Sequence, residues 1–179
     1  RDQPRSRGLG DVYKRQLMTH TAITPEDERF MDIACELAEH NVKNGGGPFG
    51  AVIVRDGEII ATGVNNVTRT NDPTAHAEMN AIRSACHVTN NFRLEGCVVY
   101  SSCEPCPMCL SALYWAAVKR IYYGNTKYDA DRINFSDSFI YKEIDKKPDE
   151  RAIPCIHVAR KNAIKAFELW AEKNDKIEY

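Results

Sequence analysis

Between residues 24 and 43 the apolar side chains Phe30, Ile33, Ala34, Leu37, Ala38 and Val42 recur at three-to-four spacing, which places one face of a helix against a core. Ahead of them Thr24-Pro25-Glu26-Asp27 combines an N-cap candidate, a proline at the first helical position and acids suited to the positive end of the helix dipole. Gly45-Gly46-Gly47-Pro48 ends the helix and frees the backbone to bend. The period then changes. Residues 49–54 and 59–64 are apolar and β-branched, and Asp56-Gly57 between them is a two-residue hairpin signal, so they are read as paired antiparallel strands. Residues 65–71 have the polar composition of a loop. Asn65 there serves either turn chemistry or, at a strand exit where clefts open, function.

A second helix follows, capped by Asp72 or Thr74, with Ala77, Ala81, Ala85 and Val88 on its packed side. Residues 97–101 read as a short buried strand and 110–118 as helix, burying Leu113, Trp115 and Ala116; residues 120–124 form another strand. Strands alternating with helices predict an α/β sheet covered on both faces. After Gly124 the signal weakens: 129–132 is read as a helix start, and 160–173 as a helix with Ala163, Ala166, Phe167 and Trp170 on one side. Residues 1–19, which mix Gly, Pro, Arg and Lys without an apolar stretch, read as a disordered or assembly-derived leader, and 20–179 as one domain.

Charge narrows the partners. The chain carries a net −1, and the leader holds five basic residues against two acidic, so the body is acidic and a nucleic-acid backbone is an unsuitable partner. No run reaches the roughly 18 apolar residues of a membrane span. Seven cysteines, an odd number with no secretion signal ahead of them, suit a reducing cytoplasm. Cys35, Cys86 and Cys97 sit in apolar patterns and are expected as small buried hydrophobes.

The chemistry lies in two short steps, Pro73-Thr74-Ala75-His76-Ala77-Glu78 and Cys103-Glu104-Pro105-Cys106-Pro107-Met108-Cys109. One imidazole and two thiolates suit Zn2+, and three protein ligands leave its fourth position open for water. His76, Cys106 and Cys109 are the candidate ligands, and Glu78 the proton carrier. Residues two apart point about 200° apart on a helix, so His76 and Glu78 share a site only at a helix end lying across it. The main rival is a closed structural site with Cys103 as fourth ligand, which leaves Glu78 without a task.

H-x-E followed by P-C-x-x-C is the signature of zinc-dependent deaminases. With Gly47-Pro48-Phe49-Gly50-Ala51-Val52, Asn65-Asn66 and Asp137-Ser138-Phe139-Ile140-Tyr141, the chain resembles the cytidine-deaminase-like superfamily, nearest its bacterial-type guanine deaminases. The resemblance implies a three-layer α/β/α sandwich with a mixed five-stranded sheet, one zinc ion per subunit, and hydrolysis of guanine to xanthine and ammonia. Guanosine is the alternative substrate; a tRNA adenosine deaminase and a non-catalytic zinc scaffold are more remote readings. It further implies that Asn65 bonds the purine edge, that Phe49, Ala77 and Trp115 lie against the substrate, and that Asp137 is a second acid. Cys103 is not a ligand in that family. A homodimer exchanging segments from about residue 150, with Tyr179 closing the partner's pocket, completes the implied picture.

Overall fold

A computed structural model describes residues 22–178; the leader at 1–19 and Tyr179 lie outside them. Helix α1 (Pro25–Lys43) begins with a capping box in which the side chains of Thr24 and Asp27 each bond the other's backbone N–H. Phe30, Ala34 and Ala38 are buried as expected, but Val42 is 50% exposed and the neighbouring Asn41 takes the core position instead, 3% exposed. The row from Phe30 through Ala34 and Ala38 continues by helical geometry to Asn41, whatever its polarity.

The sheet consists of β1 (Gly50–Arg55), β2 (Glu58–Val64), β3 (Val98–Cys103) and β4 (Arg120–Asn125) in the order β2-β1-β3-β4. β1 pairs antiparallel with β2 and β3, while β3 and β4 run parallel, so the sheet is mixed. Asp56 and Gly57 both have positive φ, 52° and 81°, which matches the right-handed twist of the hairpin they close. Alternation along the strands divides the core. Val52, Val54 and Tyr100 face Phe30 and Ala34 of α1, while Ala51, Ile53 and Val99 join Ala77, Ala81, Ala85, Leu94 and Leu113 on the other side. On that second face lie α3 (Ala77–Thr89) and α4 (Pro107–Trp115). Gly63 lets α3 approach closely: a Cβ there would lie 2.1 Å from the Ala77 carbonyl oxygen.

Several expectations are corrected. Four strands pair among the described residues, not five, and residues 154–160 carry no regular structure and join no strand. A short helix, α2 (Val67–Thr70), interrupts the loop read at 65–71. Val88 is 64% exposed beyond the last core turn of α3, and Trp115, closing α4, is 68% exposed. Cys97 is buried, whereas Cys35 and Cys86 are only half-buried. The remaining elements are α5 (Lys127–Arg132), with a second capping box from Thr126 and Asp129, α6 (Ser138–Ile144), a 3-10 turn (Pro148–Glu150) and α7 (Lys165–Glu172). Every residue from 152 to 175 is exposed, including the Phe167 and Trp170 expected on a packed face.

Candidate active site

The approach to His76 is set by local hydrogen bonds. Asp72 Oδ1 accepts from the Thr74 backbone N–H at 2.8 Å and from the Thr74 hydroxyl at 2.7 Å, so neither residue caps α3 as expected. Asn80 Nδ2 reaches back from α3 to the carbonyls of Val64 and Ala75, at 2.9 and 3.2 Å, tying this turn to the exit of β2. His76 is itself the N-cap, with extended backbone (φ −70°, ψ 161°). That placement answers the angular problem of the H-x-E step: the ring leaves from outside the helix, while Glu78 sits in its first turn.

Cys106 occupies the equivalent place on α4, an extended N-cap (φ −64°, ψ 166°) followed by Pro107, with Cys109 in the opening turn. Two helix N-termini therefore supply the cluster, and their partial positive charge favours thiolate. His76 Nδ1 lies 3.5 Å from the Sγ of Cys106 and 3.5 Å from that of Cys109. A tetrahedral zinc ion with bonds of about 2.3 Å to sulfur and about 2.05 Å to nitrogen sets N and S about 3.6 Å apart, so the donors fit that ion. The protonation pattern agrees. The hydrogen bond from Cys109 lowers the Cys106 pKa against the effect of burial, and the His76 ring lowers it further. Cys109, which keeps the shared proton, is pushed up, and burial adds to this. Cys103 does not join: burial pushes its thiol up to about 11, and its Sγ donates to the Thr126 carbonyl at 3.7 Å.

Glu78 is 6% exposed, and Ser101 Oγ on β3 donates to its Oε1 at 3.0 Å. Burial raises its pKa, with the Ser101 bond opposing. Asp137 stands just before α6 with its Oδ1 buried and without a hydrogen-bond partner among the described residues. Burial, then the Cys106 thiolate, raises its pKa, and its charge acts in turn on His76. The structure thus brings His76, Cys106, Cys109, Glu78 and Asp137 to one side of the sheet. Around them Lys127 Nζ pairs with Glu104 at 3.3 Å, and the Tyr141 hydroxyl donates to the Pro105 carbonyl at 2.9 Å, fixing the turn that enters Cys106.

The other expected residues fall in different surroundings. Asn65 is 7% exposed and bonds through its backbone N–H to the Phe49 carbonyl at 3.2 Å, so these two are held together. Ala77 is wholly buried in the core against Gly63, and Trp115 ends α4, at the opposite end from Cys106. Two residues near the site escaped the sequence reading. Phe135 meets Phe49 edge to face, with centroids 5.0 Å apart, and Ser101 is the bonding partner of Glu78. Ser101 lies beside Ser102-Cys103 within a strand pattern, and nothing local marks its hydroxyl as functional.

Residues 24–125 match the family described as the cytidine and deoxycytidylate deaminase zinc-binding region. The guanine deaminase of Bacillus subtilis (strain 168) is 53% identical over 153 residues, 85% of this chain and 98% of that protein. The X-ray structure of a Bacillus subtilis guanine deaminase matches the fold with a TM-score of 0.83, covering the same 85% and 98% of the two chains at 53% identity. The tRNA-specific adenosine deaminase of Aquifex aeolicus is 43% identical over 97 residues, 54% of this chain and 64% of that protein. A structure of guanine deaminase from Nitrosomonas europaea is 28% identical, covers 73% of this chain and 75% of its own, and has a TM-score of 0.59.

Proposed function

The chain belongs to the zinc-binding cytidine and deoxycytidylate deaminase family, and we propose that it hydrolyses guanine to xanthine and ammonia. One observation carries the choice of substrate. The likeness to the Bacillus subtilis guanine deaminase runs over 153 residues, well past the zinc-binding region at 24–125, whereas the tRNA-specific relative from Aquifex aeolicus matches over 97. Sequence beyond the shared deaminase core is where substrate selection diverges, and Asp137 lies in that part of the chain.

His76, Cys106 and Cys109 would hold one zinc ion. Bound there, zinc supplies Lewis acidity that lowers the pKa of a water from about 15.7 to about 7. Glu78 takes one proton from the attacking water and passes it to a ring nitrogen of the purine, then takes the proton of the new hydroxyl on C2 and passes it to the amine, which departs as ammonia while the carbonyl forms. Its burial suits this, since a carboxyl with a raised pKa holds a proton between the two steps. Asp137 offers an oxygen that no other described residue bonds, suited to the exocyclic amine or a ring N–H. Asn65 accepts from the Val67 N–H through Oδ1 at 3.3 Å, an arrangement that suits its Nδ2 to serve as the donor to a purine edge. Phe49, backed by Phe135, provides a flat apolar wall for the ring.

The exposed segment at 152–175 supports a homodimer that exchanges its C-terminal segments, with Tyr179 closing the partner's pocket. Ile153 (83% exposed), Phe167 (73%) and Leu169 (70%) belong on a covered surface, and a second copy provides one. Seven free thiols suit a reducing, cytoplasmic setting. The deciding experiment measures ammonia release from guanine and, separately, guanosine, with zinc quantified in the same preparation. Release from guanine alone is expected; release from guanosine alone would keep the metal chemistry and overturn the substrate.

A further inference from the structure

Asn41 is a polar residue at a core position of α1, 3% exposed, and its three side-chain hydrogen bonds all go to segments outside that helix. Its Nδ2 donates to the carbonyls of Gly47 and Asn65, each at 2.8 Å. Its Oδ1 accepts from Arg69 Nη2 at 2.6 Å. Chemistry fixes the direction of the amide, because a guanidinium only donates and a carbonyl only accepts. The amide oxygen must face Arg69, and both amide hydrogens must then face the two carbonyls.

Those carbonyls belong to the wall read above as purine-binding. The Gly47 carbonyl also accepts from the Phe49 N–H at 2.9 Å, and the Phe49 carbonyl accepts from the Asn65 N–H at 3.2 Å. Asn65 Oδ1 leads into α2, the short helix that carries Arg69. Arg69 in turn bonds Asn66 Oδ1 at 3.0 Å and the Asn44 carbonyl at 3.3 Å. The bonds form a closed circuit from Asn65 through α2 and Arg69 to Asn41 and back. The glycines after α1 close over it without side chains: a Cβ on Gly46 would lie 2.4 Å from Asn41 Nδ2 and 2.6 Å from Arg69 Nη2, and one on Gly47 would lie 2.8 Å from Asn65 Oδ1.

We propose that Asn41, oriented by Arg69, is a positioning residue that sets Asn65 and Phe49 against the purine. This rests on the reading of those two residues as the substrate wall. It makes the Gly-Gly-Gly run part of the binding machinery as well as a helix stop. Asn41 touches neither the metal donors nor Glu78, so its loss should act on binding and spare the chemical step.

The test uses the zinc-loaded enzyme with guanine, comparing Asn41→Ser, Arg69→Lys and Arg69→Met with Asn65→Ala as reference, and taking zinc content and Tm for each. Removing the Asn41 amide from the Gly47 and Asn65 carbonyls is expected to raise KM about tenfold in Asn41→Ser, with kcat per bound zinc within about threefold of wild type. Asn65→Ala should shift KM in the same direction. Arg69→Lys, which keeps the charge but not the fork, should fall between wild type and Arg69→Met. If Asn41→Ser does not fold, the exposed Arg69 pair carries the test. An unchanged KM in the Asn41 and Arg69 variants beside a raised KM in Asn65→Ala would overturn the positioning role alone. An unchanged KM in Asn65→Ala would overturn the substrate wall and this role with it. A fall in kcat and zinc content at constant KM would make the circuit structural and also overturn the proposal.

Discussion

Phe30, Leu94 and Leu113 are 2% exposed or less, while Ile153, Phe167 and Leu169 in the same chain are 83%, 73% and 70% exposed. The first group belongs to the deaminase body, whose sheet and three flanking helices bury their own apolar faces. The second lies on a segment that one copy leaves uncovered. Burying a large apolar side chain is worth about 1.5–3 kcal/mol, so the body has realised that stabilisation and the C-terminal segment has not. The difference separates two tasks. His76, Cys106 and Cys109 come together within one chain, with Glu78 bonded to Ser101 beside them, whereas in the homodimer proposed above the C-terminal segment is covered by a second copy.

The comparison breaks most completely at the metal. Cys106→Ser should lose zinc and reduce guanine turnover below detection, as should a strong chelator, with metal analysis and an ammonia assay as the check. Next, Glu78→Gln should retain zinc and lose about 10²- to 10⁴-fold in kcat; full activity would remove Glu78 from the mechanism. Removing residues 152–179 should leave zinc binding in the body intact, convert the dimer to a monomer by light scattering, and raise KM for guanine about tenfold through loss of closure. The finest test compares side chains of similar exposure. Val88 on the body and Leu169 on the segment are 64% and 70% exposed in one chain. Val88→Lys should change stability by no more than about 0.5 kcal/mol. Leu169→Lys should weaken dimerisation about tenfold or more, in line with the cost of withdrawing a large apolar side chain from a covered surface. Equal, negligible effects would mean that the segment is not covered.

Much of the body was legible because its signals are local. The Thr24 capping box, the Asp56-Gly57 hairpin and the apolar, β-branched run of β1 concern residues within a few positions of each other. The metal donors were legible because each thiolate or imidazole has few other uses at such spacing beside a helix start. Local signals failed where neighbours from elsewhere decided the outcome. Asp72 was read as a helix cap, but its carboxylate is taken by Thr74. Val42 and Trp115 were read as core because they are apolar, but the helices that carry them end at the surface. A fifth strand was implied by the resemblance alone; the local pattern marked only four apolar, β-branched runs, and four strands pair among the described residues.

By itself the sequence determined the donor set His76, Cys106 and Cys109, the Asp56-Gly57 turn and the start of α1, since each follows from side-chain chemistry and backbone preference over a few residues. Tertiary structure alone decided that Ser101 meets Glu78 across 23 positions and that Asn41 meets Asn65 across 24. The reason is physical: a buried polar group is tolerated only where a partner is delivered to it, and that delivery depends on strand pairing and helix placement, which no stretch of sequence encodes locally.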